Sequence, residues 1–304
     1  MTPVPRVAGA PISWGVSELP EWGYRMAPDR VLAEMSEVGL DATELGPAGY
    51  LPEEPGECRR LLSRHGLRLV AGFLAAVLHD RRNSALDAIK RQARALAASG
   101  AETLVLAAAW PGDTYERDDR LSDDGWRALG ETLVGAEEIA SANGLRLALH
   151  PHAGTAVARK EDVYTLMAAT TVDLCLDTGH LFLGGVDPSE LARDAAGRVG
   201  HVHLKDVDAT IADGVRSRRL SYAQGVSLGL YRPLGQGDLD IEAVVSLLQD
   251  SGYRGWYVLE QDTALTAEPD PSYGPAAAAR QSLEYFRRIS SATKPPAHPR
   301  RIER

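Results

Sequence analysis

The segment LALHPH, residues 147–152, ends an apolar run with two histidines separated by a proline. Alternate side chains of a β-strand share a face, so His150 and His152 can both point to one side of a sheet. Pro151 has no N–H to donate to a further strand pair, so the strand is expected to stop there. Two imidazoles at the end of a strand suit metal binding or proton transfer, although two exposed loop histidines would give the same pattern.

Other apolar runs of the chain also end in histidines, carboxylates or a lysine. These residues are Glu44, His79, Asp177, His180, His201, His203, Lys205 and Glu260. Such groups are costly to bury unless they are paired or bound to a metal. Each carboxylate also has an ordinary interpretation as a cap, a turn residue or a surface ion pair, and Lys205 could be a solvated rim charge. His201 and His203 share one strand face, and only one of them need bind metal, since the other can hydrogen-bond in the core.

The ligands in this set are nitrogen and oxygen atoms, with no thiolate among them. This chemistry suits Mn²⁺, Co²⁺, Mg²⁺ or Zn²⁺. A site with two imidazoles is softer than an all-oxygen site, which favours Mn²⁺ or Co²⁺ over Mg²⁺. The sequence therefore predicts one divalent metal ion if these side chains meet.

The elements that would position these side chains alternate from end to end of the chain. Strands are predicted at 7–14, 41–45, 67–77, 103–109, 145–150, 172–177, 199–205 and 256–260. Helices are predicted at 28–38, 54–65, 84–99, 121–142, 160–169, 188–195, 241–251 and 275–289. Short apolar strands that alternate with amphipathic helices are typical of a parallel sheet covered by helices.

Eight strand–helix units in about 250 residues predict an α/β fold, a single (β/α)₈ TIM barrel over residues 1–290. A doubly wound open sheet is the alternative, but no glycine-rich dinucleotide fingerprint follows the first strand. Residues 206–240 form a long insertion after strand seven. The polar, proline-rich residues 291–304 are expected to be a flexible, disordered tail. Active sites of such barrels lie at the carboxyl ends of the strands, where the polar residues fall.

Composition limits the partners. The 304 residues carry a formal net charge of −9, which argues against nucleic acid as an obligate partner. The two cysteines give no disulfide framework, and Cys175 in its apolar run is expected to be a small buried hydrophobe. With no visible signal peptide and no apolar run of ~20 residues, we expect a cytoplasmic protein without a membrane partner. Assembly into a homo-oligomer stays open.

Several motifs resemble the xylose isomerase-like superfamily of divalent-metal TIM barrels, which contains sugar isomerases and epimerases, dehydratases and AP endonucleases. The motifs are LCLDTGH, HVHLKD and the triplet EQD at 260–262. The segments APISWG, TELGPAGYLP, VLHD and VRSRRLSYAQGVSLGLYRPLGQGDLD are similar to the inosose (2-keto-myo-inositol) dehydratase branch. The resemblance covers residues 7–290.

The resemblance implies a metal held by Glu, Asp, His and Glu from strands five to eight. By position, the last three ligands are Asp177, His203 and Glu260. The fifth-strand glutamate falls on His150, so the sequence departs from the isomerase pattern there. Whether His150 or His152 ligates the metal stays open at this point.

The implied activity is that of a hydro-lyase in carbohydrate metabolism, of the kind found in inositol catabolism. It would remove water from a small sugar or inositol-derived ketone by taking the proton α to the ketone and releasing a β-hydroxyl. Glu44 and His180 are the candidates for base and acid, in either order, and Lys205 would supply positive charge near the developing oxyanion. The substrate-binding candidates are Trp14, His79 and His152.

Three alternatives differ in class. A divalent-metal sugar isomerase or 3-epimerase would use the same metal and a carboxylate pair, but the fifth-strand glutamate is missing. An AP endonuclease would need further ligands and a basic surface, which this acidic chain does not suggest. A non-catalytic sugar-binding protein would tolerate loss of the metal ligands, which here look nearly intact.

Overall fold

The computed structural model describes residues 5–19, 22–81, 85–112, 115–270 and 274–291. Ten strands are present in these ranges. They are β1 Arg6–Gly9, β2 Ala42–Glu44, β3 Arg68–Ala76, β4 Thr103–Ala108, β5 Arg146–Leu149, β6 Asp173–Asp177, β7 Val199–Leu204, β8 Asp206–Val207, β9 Tyr231–Arg232 and β10 Trp256–Leu259. Strands β1 to β7 and β10 form a closed parallel barrel in the order β1-β10-β7-β6-β5-β4-β3-β2. The predicted single TIM barrel is confirmed.

Most helices cover the outside of the barrel. The helices are α1 Pro28–Val38, α2 Pro55–Arg64, α3 Leu86–Ser99, α4 Asp123–Ala142, α5 Lys160–Ala169, α6 Thr178–Leu183, α7 Pro188–Asp194, α8 Ala209–Arg216, α9 Tyr222–Ser227, α10 Ile241–Asp250 and α11 Pro275–Ser291. Of these, α8 and α9 belong to the insertion after β7. Local sequence sets several ends: Ser122 accepts a hydrogen bond from Gly125 N–H at the start of α4, and Gly39 ends α1 at a φ of 97°. None of the helices in the described ranges combines the length and apolar character that a bilayer crossing needs.

The barrel interior changes character along its axis. Small buried side chains of the strands, among them Ala8, Val105, Ala148 and Cys175, pack together in one cluster. Cys175 is thus a small buried side chain, as predicted. Titratable side chains occupy the carboxyl end of the barrel. The apolar cluster below them excludes water from one side, so charges at this end interact strongly.

Three features differ from the sequence prediction. The first strand ends at Gly9 rather than at Trp14, because Pro11 starts a 3₁₀ helix, Pro11–Trp14, that Gly15 ends at a φ of 76°. Helix α6 is not expected from the sequence, because its first residues directly follow the apolar residues of strand six and continue its polar end. Helix α11, predicted at 275–289, extends to Ser291, the first residue of the proposed tail; residues 292–304 lie outside the described residues.

The insertion after β7 is folded, with α8, α9 and the antiparallel pair of β8 and β9. Asp206, fully buried at its start, joins its two ends. Its carboxylate accepts hydrogen bonds from the backbone N–H groups of Val207, Gly235, Gly237 and Leu239. This single side chain therefore fixes where the insertion returns to the barrel.

Candidate active site

A cavity of about 840 Å³ opens at the carboxyl end of the barrel. Strands β2, β5, β7 and β10 bring most of the sequence-predicted site residues to it. Those that line it are Glu44, His150, His152, His203, Lys205 and Glu260. Asp177 and His180 lie directly behind this lining, in contact with Lys205. The structure thus brings together eight of the ten residues to which the sequence analysis gives a metal-binding, catalytic or substrate-binding role.

Asp177, His203 and Glu260 form a buried cluster whose ligand atoms lie within 4.8 Å of one another. The Nδ1 atom of His203 is 3.4 Å from Asp177 Oδ2 and 3.3 Å from Glu260 Oε2. Each side chain comes from the end of a different strand, β6, β7 or just after β10. Neighbouring strands of the closed barrel therefore present three ligand atoms to one point.

Two atoms of this cluster lack hydrogen bonds. Asp177 Oδ2 and His203 Nδ1 are fully buried and have no hydrogen-bond partner among the described residues. An unsatisfied buried carboxylate oxygen is costly, and such atoms call for an explanation. A divalent cation would satisfy both atoms and balance the two carboxylates, so the donor set fits a metal ion.

The two histidines of LALHPH differ in what their rings face. Nδ1 of His150 lies 2.8 Å from the carbonyl oxygen of Pro151, which can only accept, so Nδ1 carries the proton. Its Nε2, with the lone pair, lies 3.4 Å from Asp177 Oδ2. Two lone pairs that face each other at this distance suit a shared cation. Burial lowers the pKa of His150, which keeps the imidazole neutral for such a role.

His152 packs instead against the other aromatic rings of the cavity. Its ring centroid is 3.7 Å from that of His180 and 4.4 Å from that of Tyr115. Burial, with the charge of Lys205, holds the pKa of His152 well below its usual value, so the ring is neutral. His152 belongs to none of the candidate metal clusters found among the described residues, whereas His150 belongs to two.

Glu44 lies beside this cluster. Its Oε1 accepts hydrogen bonds from Nε2 of His201 at 2.7 Å and from Nε2 of His203 at 3.1 Å. Burial opposes ionisation of Glu44, but the charge of His203 and the two hydrogen bonds hold its pKa below its usual value. His201 is fully buried, which agrees with its interpretation as the core partner of the pair. The hydrogen bond to Glu44 also directs Nδ1 of His203 toward Asp177 and Glu260.

Lys205 places its ammonium among three carboxylates. Nζ is 3.3 Å from Asp177 Oδ2, 3.1 Å from Glu260 Oε2 and 2.8 Å from Asp262 Oδ1. Burial opposes the charged form of Lys205, but these carboxylates raise its pKa well above the usual value. Lys205 is therefore an ammonium group at the edge of the candidate metal site.

Two ligand candidates bind protons strongly in the absence of an ion. Burial raises the pKa of Glu260 to about 7, against the charges of His203 and Lys205, which lower it, and with a smaller contribution from Glu44 and Asp177. Burial favours the neutral form of His203, but the surrounding negative groups, Glu260 and Glu44 among them, raise its pKa well above its usual value. A proton on Glu260 or His203 blocks the ligand atom that a cation would use, so metal binding must release that proton.

His180 lies on α6 and not at a strand end. Asp177 Oδ1 accepts a hydrogen bond from His180 N–H at 2.9 Å, and this cap starts the helix. Burial holds the pKa of His180 well below its usual value, and Lys205 Nζ is 3.1 Å from its Nε2. Gly179 permits this approach, because a Cβ atom there would lie 2.7 Å from the Tyr231 ring and 2.9 Å from Lys205 Cβ.

Trp14 and His79 are not among the described residues that line the cavity. Trp14 is buried in the core, where its Nε1 donates to the carboxylate of Glu34 at 2.8 Å. The ring of His79 packs edge-on against Trp110 with centroids 4.7 Å apart. Trp14 therefore fills the core, its ordinary interpretation, and His79 lies behind a lining residue.

Sequence reasoning missed part of the lining. Asp262, Tyr115 and Tyr222 all line the cavity, as does Phe73 from β3. The EQD triplet was a signal for Asp262, since it places a second carboxylate two residues after Glu260. Tyr222 belongs to the insertion, whose aromatic residues gave no periodic pattern that would place them over the barrel.

Comparison with known proteins identifies a matching family model and two similar relatives. The family model described as xylose isomerase-like TIM barrel matches residues 32–289. An inosose dehydratase of Geobacillus kaustophilus (strain HTA426) is 32% identical over 298 residues, 93% of this chain and 94% of the relative. The rhizopine catabolism protein MocC of Rhizobium meliloti is 32% identical over 297 residues, 94% of this chain and 89% of the relative.

A solved structure of the IolI protein with a bound zinc atom has the same fold. Its TM-score with this chain is 0.67 at 15% sequence identity, over 94% of this chain and 98% of that one. At this identity, the likeness concerns the fold alone.

Proposed function

The chain belongs to the xylose isomerase-like TIM-barrel family, and on that premise we propose that it is a metal-dependent hydro-lyase acting on a cyclic polyol ketone of the inosose type. One observation carries the proposal: the buried atoms Asp177 Oδ2 and His203 Nδ1 lie 3.4 Å apart, without a hydrogen-bond partner among the described residues, at the wall of a large cavity. The ammonium of Lys205 lies beside them. A cation site, a fixed positive charge and room for a sugar-sized molecule thus coincide.

The residues that would hold the metal are His150, Asp177, His203 and Glu260. With both imidazoles neutral, two carboxylates balance the charge of a divalent ion. When bound, the ion would supply Lewis acidity at the ketone oxygen of the substrate, which makes the neighbouring C–H more acidic. We propose Mn²⁺ or Co²⁺, since two imidazoles soften the site, with Zn²⁺ or Mg²⁺ as alternatives.

Two groups are suited to proton transfer, and their hydrogen-bond partners indicate which one acts as the base and which one as the acid. Glu44 lines the cavity as a carboxylate and can only accept, so we assign it removal of the proton α to the ketone. His180 is neutral, and the Lys205 ammonium lies 3.1 Å from its Nε2. This pair would donate the proton that lets the β-hydroxyl leave as water while the C=C bond forms. The departing water carries the β-hydroxyl and a proton from this pair, while the α-proton stays on Glu44 and must pass through solvent to restore the pair before the next turnover.

We assign substrate binding to the aromatic side chains that line the cavity. His152 is neutral, and its Nδ1 donates to the carbonyl oxygen of Ala153 at 2.8 Å, which leaves Nε2 to accept from a substrate hydroxyl. Tyr115 and Tyr222 pack around it with centroids 4.4 and 6.4 Å from its ring. The insertion that carries Tyr222 would cover the bound substrate and exclude water.

The alternative reactions share the proton abstraction and differ in whether a β-hydroxyl leaves. A sugar isomerase or 3-epimerase returns a proton and would be served by a glutamate at the end of the fifth strand, as the second member of its carboxylate pair. That position holds the neutral His150 instead of a carboxylate, and the Nδ1 proton of His150 is donated to the carbonyl oxygen of Pro151. This favours dehydration.

Product analysis distinguishes the two reactions. The metal-loaded protein should be incubated with inosose and, separately, with a panel of unphosphorylated ketoses, and the products identified by mass spectrometry and NMR. Dehydration predicts a product 18 mass units lighter from inosose and no conversion of the ketoses. Epimerised or isomerised ketoses with intact inosose would overturn the proposal.

A further inference from the structure

Tyr222 is the residue by which the insertion reaches the candidate active site. It is the first residue of α9, it is buried, and it lines the cavity. Its backbone N–H donates to Glu116 Oε1 at 3.0 Å, which ties this end of the insertion to the loop after β4. Its ring lies nearly parallel to that of His180, with centroids 5.9 Å apart. The phenol is therefore held in a fixed position beside the proposed chemistry.

The hydroxyl of Tyr222 joins a polar chain that leads to Lys205. It donates to Asp262 Oδ2 at 2.6 Å, and the other oxygen of Asp262, Oδ1, is 2.8 Å from Lys205 Nζ. Tyr222 and Asp262 are separated by 40 residues, so this contact exists only in the folded insertion. Asp262 therefore connects the insertion to the ammonium group of the site.

Asp262 differs from the other carboxylates around Lys205 because it is not one of the proposed metal ligands. Asp177 and Glu260 belong to the proposed metal ligands, and a cation would engage the same oxygens that now lie 3.3 and 3.1 Å from Nζ. Asp262 lies outside that ligand set. It would remain the counter-charge that holds Lys205 beside a divalent ion, which would otherwise repel the ammonium.

The hydrogen-bonding groups of the Tyr222 phenol limit the kind of ligand group that it can bind. A phenol has one proton, which here points to Asp262, and two lone pairs. The hydroxyl of Tyr231 lies 3.2 Å away and can use one of these lone pairs. The other lone pair can only accept, so its partner in the cavity must be a donor such as a hydroxyl group.

We infer that Tyr222 is a substrate-binding residue supplied by the insertion, whose phenol oxygen accepts a hydrogen bond from a ring hydroxyl of the cyclic polyol. Asp262 is a positioning residue, which holds the Tyr222 proton with one oxygen and Lys205 with the other. The inference rests on the proposed function for the identity of the polyol. It adds a binding group that none of the barrel strands provides.

The test compares Tyr222→Phe with Tyr231→Phe. Tyr231 is an equally buried phenol of the same network, but it is not among the described residues that line the cavity, so it serves as the matched control. Three quantities are measured on metal-loaded protein: the Kd of the unreactive cyclic polyol myo-inositol, by titration calorimetry, and the KM and kcat with inosose. Metal content by elemental analysis shows whether each variant keeps the site.

We expect Tyr222→Phe to raise both the Kd for myo-inositol and the KM for inosose about tenfold or more, the size of one lost hydrogen bond. Its kcat should change less than threefold, and metal content should stay unchanged. Tyr231→Phe should change every value less than threefold. Asp262→Asn should instead lower kcat more than it raises KM, since it loosens Lys205.

Two results would overturn the inference. One is a Tyr222→Phe protein with Kd and KM within twofold of wild type. The other is an equal loss in Tyr231→Phe, which would assign both phenols a structural role. A wild type that binds myo-inositol but leaves inosose intact would contradict the proposed function alone, and the ratio of Kd values would still decide the role of Tyr222.

Discussion

Glu44 and His203 are joined by a hydrogen bond of 3.1 Å between Oε1 and Nε2, and the opposite ring nitrogen of His203 faces Asp177 and Glu260. The carboxylate thus selects the imidazole tautomer whose Nδ1 lone pair is available to a cation. Glu44 also lines the cavity, so the same side chain can contribute to metal binding and to proton transfer. The two contributions can be separated by substitution.

Glu44→Gln keeps the shape of the side chain and an oxygen that can accept from the two histidines, but it removes the negative charge. We expect the dehydration rate to fall by roughly 10²–10⁴ with metal content unchanged. Glu44→Ala also removes the hydrogen bonds and should weaken metal binding by about 10-fold or more. Steady-state kinetics and elemental analysis measure both effects.

Glu34→Gln is the control for this pair. Glu34 is a buried glutamate that bonds to Trp14 and Arg30, away from the cavity, so its substitution should leave turnover and metal content near wild type. Near-normal turnover of Glu44→Gln would return Glu44 to the role of a structural acceptor.

Metal affinity should rise with pH. Glu260, with a pKa raised to about 7, is protonated below that pH, and His203, with a raised pKa, also holds a proton. Each proton must leave before the ion binds, so apparent affinity should fall by about tenfold or more per pH unit below pH 7 and less steeply above it. Titration calorimetry in two buffers of different ionisation enthalpy counts the released protons. Proton release that is zero at pH 6 would contradict these protonation states.

The two histidines of LALHPH should respond differently to substitution. His150 faces Asp177 Oδ2 at 3.4 Å, so His150→Ala should lower metal affinity on the order of 10-fold or more. His152 packs on His180, so His152→Ala should keep the metal and weaken substrate binding. His150→Glu should retain metal, shift preference toward Mg²⁺ and slow dehydration, because a third carboxylate hardens the site and weakens its Lewis acidity.

Metal competition assays measure the metal affinity of the His150 and His152 variants, and the KM for inosose measures their substrate binding. The reverse pattern, in which His152→Ala releases metal and His150→Ala keeps it, would show that the other histidine is the ligand.

Asp206 should dominate the stability of the insertion. Asp206→Ala leaves four backbone N–H groups without their acceptor, so we expect a loss of about 3–5 kcal/mol in the free energy of unfolding. Asp208→Ala removes a helix cap at the start of α8 and a partly exposed ion pair with Arg232, and it should cost about 1 kcal/mol. Urea denaturation measures both. Equal losses in the two variants would show that Asp206 has no special role.

Much of the barrel was predictable, because the alternation of strands and helices is a local signal. The predicted first strand is too long. The apolar residues after Gly9 continue the strand pattern, and only Pro11 indicates that the strand has ended. The sequence does not indicate helix α6. Its N-terminal cap, in which His180 N–H donates to Asp177, uses polar residues that are equally typical of the end of a strand. The parallel ends of a barrel also explain why most predicted site residues meet.

The contacts between those residues could not be predicted. Glu44 and His201 are 157 residues apart, and only the closed barrel brings their side chains together. The same holds for Tyr222 and Asp262, whose contact depends on how the insertion folds over the barrel. Trp14 was assigned to the substrate because a tryptophan near a strand end can face a sugar or the core, and the 3₁₀ helix turned it to the core.

The most direct test of the proposed function is the rate of inosose dehydration in matched samples of the same preparation. One sample is stripped with a chelator, a second is stripped and reloaded with one equivalent of Mn²⁺ or Co²⁺, and a third is the reloaded Asp177→Asn variant. The proposed function predicts water loss from inosose in the reloaded wild type, and at least 10²-fold slower reaction in both other samples. Equal rates in the stripped and reloaded wild type, or intact inosose in all three samples, would contradict it.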